Sequence, residues 1–254
     1  PPTLAVILVG DDPASQVYVA GKAKAAAEVG INSILRHLSA NATESAIIQE
    51  VQALNVDDAV DAILVQLPLP SAIDSFNVLA AIDPKKDVDG FHPINAGLLS
   101  IGKPAFIPCT PKGIIRLLSE YSVEISGKHV VVIGRSNIVG KPLSQLLLAA
   151  NATVTVCHSK TQNLPQTAKS ADILIAAIGR ARFVNSEFVK DGAVLVDVGM
   201  NRVDGKLCGD LDFDNVFKVA SAITPVPKGV GPMTIAMLLE NSCEAYVSRK
   251  TSRG

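Results

Sequence analysis

Tyr18 and Lys22 stand four residues apart in an alanine-rich stretch of helical periodicity, so they share one helix face, which Lys22 and Lys24 cannot do. Gln66 closes an apolar run of strand size, where α/β proteins place ligand-binding groups, and Asp89 lies in the loop "DPKKDVDGFHP". An ammonium held beside a neutral amide in a partly dry cleft loses proton affinity and works as a base near neutrality. A second cluster follows the apolar run at 129–133. It comprises Gly134, Arg135 and Ser136, then Gly140 ahead of Pro142, a favoured first-turn helix residue. Backbone N–H groups at such a turn favour an anion such as a pyrophosphate. The spacing matches neither standard nucleotide fingerprint. Ser136 replaces the middle glycine of GxGxxG, and a GxxxxGK[ST] loop needs one residue fewer and a hydroxyl where Pro142 stands. Where an NAD site carries an acidic residue, this chain has His158, Ser159, Lys160 and Thr161. With Arg135 they form a cationic, hydroxyl-rich pocket suited to a 2′-phosphate, which favours NADP over NAD.

The elements that must position these groups alternate between β-branched runs and helical periodicity, the pattern of parallel sheets with helical crossovers. The first half reads as a strand at 4–9, a helix at 13–29 ending at Gly30, a strand at 32–38, a helix at 43–54 and a strand at 62–67. From 68 to 111 proline, glycine and aspartate are too dense for regular structure, and a long ordered loop forming one wall of a cleft is expected. A helix at 111–121 leads into a doubly wound second half with strands at 129–133, 153–157, 172–178, 193–198 and 220–223. The breaker cluster "TPVPKGVGP" precedes a closing helix at 233–247 that is expected to fold back onto the first domain.

Composition narrows the function. Apolar residues make up 48% of the chain and charged ones 19%, enough for buried cores. The 23 lysines and arginines against 24 aspartates and glutamates leave a net charge of −1, which argues against nucleic acid as partner. The apolar runs are far shorter than a membrane span. The four cysteines show no CxxC pair or zinc spacing and read as reduced cytoplasmic thiols. Asp87, Asp89 and Gly90 lack the alternating ligands of a calcium loop, so no metal is expected. The four histidines form no motif, and GxSxG is missing, so covalent hydrolase chemistry has no support.

In order along the chain, "LVGDDPASQVYVAGKAKAAAEVGI", "VQLPLP", "DPKKDVDGFHPINAG", "PCTPKGI", "GRSNIVGKP", "CHSKT", "DVGMN" and "ITPVPKGVGPMT" closely resemble the bifunctional methylenetetrahydrofolate dehydrogenase/methenyltetrahydrofolate cyclohydrolase family. The resemblance implies a two-domain α/β fold. A folate-binding catalytic domain would span 1–112 plus 234–254 and a Rossmann-type NADP domain 113–233, with a cleft between them and a homodimer. It implies that Lys22 is the catalytic lysine, Gln66 its partner, Tyr18 the ring that stacks on folate and Asp89 the acid that anchors the pterin. Leu67, Pro225 and Pro227 match positions lining the folate site, and Gly134, Arg135, Ser136, Ser159 and Ile223 match cofactor-binding positions. Two departures stand out. The helix that usually precedes the first strand is absent, so a trimmed form is expected. Lys228 replaces the usual glycine of "PVPGGVGPMT", at a cost of about 1 kcal/mol if that position has positive φ. These two features are the support for the alternative of a non-catalytic NADP-binding pseudoenzyme. Pro142 counts against a third reading, a P-loop NTPase.

Overall fold

The structure is a computed structural model that describes residues 1–251. It divides into two compact units, Pro1–Cys109 with Ile235–Gly254, and Thr110–Thr234.

The first unit contains β1 (Thr3–Val9), α1 (Pro13–Glu28), β2 (Asn32–Leu38), α2 (Glu44–Val56), β3 (Ala62–Val65), α3 (Ser75–Ala80) and α4 (Pro93–Ser100). Its parallel sheet has the order β2-β1-β3. β1 is buried along its whole length, as an unbroken apolar run in a central strand must be. Asp12 starts α1 by accepting from Ser15 N, with Pro13 in the first turn where its missing N–H costs nothing. Thr43 is the cap of α2 rather than its first residue, and accepts from Ala46 N.

The stretch at 68–111 corrects the expectation of an irregular loop, because α3 and α4 interrupt it. Asp74 caps α3 at Phe76 N. His92 Nδ1 accepts from Ile94 N at the start of α4, with Pro93 in its first turn. These residues start helices here instead of breaking them.

The second unit runs through α5 (Cys109–Glu120), β4 (His129–Ile133), α6 (Gly140–Ala149), β5 (Thr153–Cys157), α7 (Leu164–Ala168), β6 (Ile173–Ala176), β7 (Val194–Asp197), β8 (Asn201–Val203), β9 (Lys206–Cys208), α8 (Phe213–Val216) and β10 (Ala222–Ile223). Five strands form a parallel sheet in the order β10-β7-β6-β4-β5. Core side chains cover both faces: Ile114, Leu118, Leu143 and Leu147 on one, and Phe188, Leu211 and Val216 on the other. The β8-β9 hairpin was not expected from sequence. Its two-residue turn is Asp204-Gly205, both with positive φ, the dipeptide and conformation of a type I′ turn.

α9 (Val230–Thr251) begins in the second unit and belongs to the first from Ile235. It extends beyond the expected 233–247 at both ends. Pro232 falls in the first turn, where no backbone donor is needed. At the other end Arg249 is held by an ion pair to Asp61 at 2.7 Å.

Candidate functional site

In the first unit the C-terminal end of β3 meets α1. Gln66 N continues the ladder by donating to Ile7 O at 2.8 Å. Its side chain is then fixed at both ends. Nε2 donates to Leu67 O at 2.6 Å, and Oε1 accepts from Lys22 Nζ at 2.9 Å. Lys22 is only 8% exposed, so this amide oxygen holds a largely desolvated ammonium. Tyr18 lies one turn earlier on the same helix and is 37% exposed, and partial burial raises the pKa of its phenol.

Asp89 reaches the same site from a loop anchored on β3. Ile63 N donates to Lys86 O, and Asp87 forms a parallel bridge with Ile63. The buried Asp87 carboxylate accepts from His92 N at 2.8 Å, Asn95 Nδ2 at 2.8 Å and Phe91 N at 3.3 Å, which folds the loop back on α4. Buried Lys86 donates to Leu54 O and Asp57 O, each at 2.9 Å. Gly90 has φ +70, and a Cβ there would lie 2.7 Å from Phe106 O, so the loop packs directly on 106–108. Asn241 of α9 ties the two segments together by donating to Val88 O at 2.8 Å and Ile107 O at 3.0 Å. Burial pushes the Asp89 carboxyl up from its ordinary range, and the Lys22 charge and the Cys109 thiol pull it back down. Lys22, Gln66 and Asp89 are thus brought together from α1, the end of β3 and a cross-braced loop. Asn241, 153 residues from Val88, left no mark in the sequence pattern.

In the second unit the expected cofactor residues lie at the C-terminal ends of the strands, where open α/β sheets bind ligands. Gly134 follows β4 with φ +129, and a Cβ there would stand 2.2 Å from Ala177 O. A Cβ on Gly140 would stand 2.2 Å from Gly134 O. The two glycines six apart therefore let the turn and the start of α6 press against each other. Ser136 Oγ accepts from Val139 N at 3.1 Å and Gly140 N at 3.4 Å, the residues at which α6 begins. Arg135 is exposed beside it, and Ser159 and Lys160 are exposed beyond β5 in a turn where His158 N donates to Thr161 Oγ1. Ile223 ends β10. Pro225 and Pro227 follow it in the second unit, in a tight turn where a Cβ on Gly229 would lie 2.4 Å from Pro225 O. Lys228, exposed in that turn, has φ +85, so the strain that the sequence raised as a condition is present.

Among the described residues no group of three His, Cys, Asp or Glu is arranged to hold a metal, and no helix is long and apolar enough to cross a membrane. A cavity of about 370 Å³ lined by Lys128, Asp172 and Lys190 opens at the opposite, N-terminal edge of the second sheet. It holds none of the residues above, and it lies on the edge away from which such folds bind nucleotides.

Two family models cover the chain. The tetrahydrofolate dehydrogenase/cyclohydrolase catalytic domain matches residues 1–89, and the NAD(P)-binding domain of the same family matches 108–250. The second match runs on into α9, which the structure divides between the units. The bifunctional protein FolD of Halalkalibacterium halodurans is 59% identical over 244 residues, 96% of this chain and 88% of that protein. Among solved structures, the bifunctional FolD dehydrogenase/cyclohydrolase of Campylobacter jejuni aligns with TM-score 0.95 at 52% identity, covering 98% of this chain and 89% of that one. The Trypanosoma brucei dehydrogenase-cyclohydrolase, solved with NADP cofactor and inhibitor, aligns with TM-score 0.94 at 41% identity over 100% of this chain and 88% of that one. With a lysine–amide pair at the end of one parallel sheet and a glycine-pressed turn at the end of another, each in a matched segment, the chain belongs to the tetrahydrofolate dehydrogenase/cyclohydrolase family.

Proposed function

We propose that this protein oxidises 5,10-methylenetetrahydrofolate with NADP⁺ and hydrolyses the methenyl product to 10-formyltetrahydrofolate. The observation that carries this reading is the Lys22 Nζ to Gln66 Oε1 hydrogen bond at 2.9 Å, with the Asp89 carboxyl under the influence of the same ammonium.

The fit to a dinucleotide rests on the Gly134 turn at the C-terminal end of β4, which leads into the start of α6 with Arg135 and Ser159 exposed nearby. Arg135 and Ser159, with the backbone at the start of α6, would hold the phosphates, and Ile223 would line the edge. NADP⁺, when bound, supplies the hydride acceptor. Loss of hydride from a carbon between two nitrogens leaves a cation that their lone pairs stabilise, so the protein's task in this step is placement more than acid or base strength. Tyr18 offers a half-exposed ring for stacking on folate, Asp89 a carboxyl for pterin nitrogens, and Leu67, Pro225 and Pro227 apolar surface.

Hydrolysis of the methenyl cation requires water activation and proton movement. Lys22 is the group positioned for this. Gln66 holds its ammonium through Oε1, and because the amide nitrogen is committed to Leu67 O, the amide cannot flip without losing both bonds. The folate domain is taken as 1–112 plus 234–254, of which 252–254 lie outside the described residues, and the NADP domain as 113–233, boundaries within three residues of those of the two compact units. The protein works as a homodimer in the cytoplasm, the compartment in keeping with four cysteines that form no CxxC pair. The non-catalytic alternative drew on Lys228, but the Lys22–Gln66 pair that it would have to disable is formed.

Lys22→Met tests the reading. Cyclohydrolase turnover should fall about 10²–10⁴-fold, the range for losing a positioned acid–base group, while NADP⁺ binding by calorimetry stays at the wild-type value. Retention of full cyclohydrolase turnover would overturn the assignment of Lys22.

A further inference from the structure

The second unit contains a buried acidic pair, Asp197 and Asp210, that the chemistry above does not use. Asp210 is 0% exposed, and its carboxylate takes four donors. Oδ2 accepts from Ile178 N at 2.7 Å and Gly179 N at 3.0 Å. Oδ1 accepts from Arg180 N at 2.8 Å and Asn201 Nδ2 at 2.9 Å. Three consecutive backbone N–H groups, those just past β6, therefore converge on one side chain. Asp210 N in turn donates to Asp197 Oδ1 at 2.8 Å. The Asp197 carboxylate also accepts from Gly199 N at 3.0 Å and Leu211 N at 2.9 Å, and Asp197 N donates to Thr224 Oγ1 at 2.8 Å. This relay joins the ends of β6, β7 and β10 along the edge that carries Gly134 and Ile223. Gly199 and Gly209 make room for it. A Cβ on Gly199 would lie 2.2 Å from Asp210 Oδ1, and one on Gly209 would lie 1.8 Å from Asp197 Oδ2.

The geometry has a directional consequence. The peptide bonds through 177–180 are trans, and in a trans peptide the carbonyl points opposite to the N–H. With the N–H groups of 178–180 turned onto Asp210, the carbonyls of 177–179 are turned away from it. One of them, Ala177 O, points at the Gly134 turn. We propose that Asp210 is a positioning residue for the dehydrogenase reaction, using its buried carboxylate to hold the 177–180 turn against the Gly134 turn and so keep the edge that carries Gly134 and Ile223 in shape for the dinucleotide. The proposal rests on the NADP reading above. Charge-assisted bonds from three successive N–H groups to one carboxylate fix the direction in which that turn faces.

The test uses the two activities as internal controls. Asp210→Asn keeps the shape but sets an amide N–H₂ against backbone donors. The expected result is a rise of about tenfold in KM for NADP⁺ with a smaller change in dehydrogenase kcat, as for a lost charge-assisted hydrogen bond. Cyclohydrolase turnover, assayed directly on methenyltetrahydrofolate without NADP⁺, should stay within about twofold of wild type. Asn201→Ala, which removes only one donor, should raise KM for NADP⁺ about threefold and serves alone if Asp210→Asn does not fold. Unchanged KM in both variants, or parallel loss of both activities with the melting temperature, would overturn the proposal. Failure of the wild-type protein to bind NADP⁺ would instead overturn the reading on which it stands.

Discussion

Replacing Lys228 with glycine should stabilise this protein, and the size of the gain follows from two opposing terms. At φ +85 an L-residue carries a cost of roughly 1–2 kcal/mol relative to glycine. Glycine loses more chain entropy on folding, about 0.5–1 kcal/mol, which offsets part of that relief. Lys228 is exposed, so truncating it loses little packing. The net expectation is a gain of about 0.5–1 kcal/mol, which for a chain of this size raises Tm by about 1–4 °C. The assay is differential scanning calorimetry of Lys228→Gly and Lys228→Ala without ligand at pH 7. Alanine removes the charge but keeps the Cβ, so it should show no gain. A glycine variant no more stable than the alanine variant would refute the strain argument. Equal gains in both would assign the effect to the lysine charge.

Two further outcomes follow from the second unit. Burial, reinforced by the nearby Asp210 charge, lifts the Asp197 carboxyl from 3.8 to about 6 against the pull of its backbone donors. The folded state thus holds this proton more tightly than the unfolded chain does. Its contribution to stability is complete below pH 3.8 and is lost as the pH rises through about 6. At about 1.4 kcal/mol per pH unit the loss is about 3 kcal/mol, so the wild-type stability minus that of Asp197→Asn, from denaturant melts, should fall by up to that amount between about pH 4 and 7. A constant difference would contradict it. Arg135→Ala should weaken NADP⁺ binding about 10–100-fold and NAD⁺ binding far less, read by titration calorimetry, and equal losses would refute the 2′-phosphate argument.

Strand positions were legible in two ways: β4 is a buried apolar run, whereas β2 and β5 are edge strands that mix polar and apolar residues and were marked by β-branched residues and by the breaks that flank them. Other strand ends were not, because the chain leaves a ladder when a side chain claims its donors. The apolar run at 173–178 outlasts β6 since Ile178 N turns to Asp210 Oδ2. Prolines misled in one consistent way. Pro93 and Pro232 read as breakers but occupy first turns, and the caps that make the difference are single hydrogen bonds such as Ile94 N to His92 Nδ1. The Asp204-Gly205 turn was a readable hairpin signal flanked by strands too short to reveal periodicity.

The site divides along the same line. Lys22 and Tyr18 were paired by helical spacing, and the approach of Gly134 to Gly140 resolves a spacing that fits no standard fingerprint. Gln66 against Lys22, 44 residues apart, was placed by strand-end position and by resemblance. Asn241 and Asp210 act through long-range bonds to main-chain groups, which carry no residue-type signature at the receiving end.

The most direct test of the central claim is a turnover assay of the purified protein with 5,10-methylenetetrahydrofolate and NADP⁺, following NADPH, the methenyl intermediate and 10-formyltetrahydrofolate separately. The account predicts NADPH and 10-formyl product from the wild type, and NADPH without 10-formyl product beyond the spontaneous rate if Lys22→Met retains the dehydrogenase step. Demonstrated NADP⁺ binding with no turnover by the wild type would contradict it.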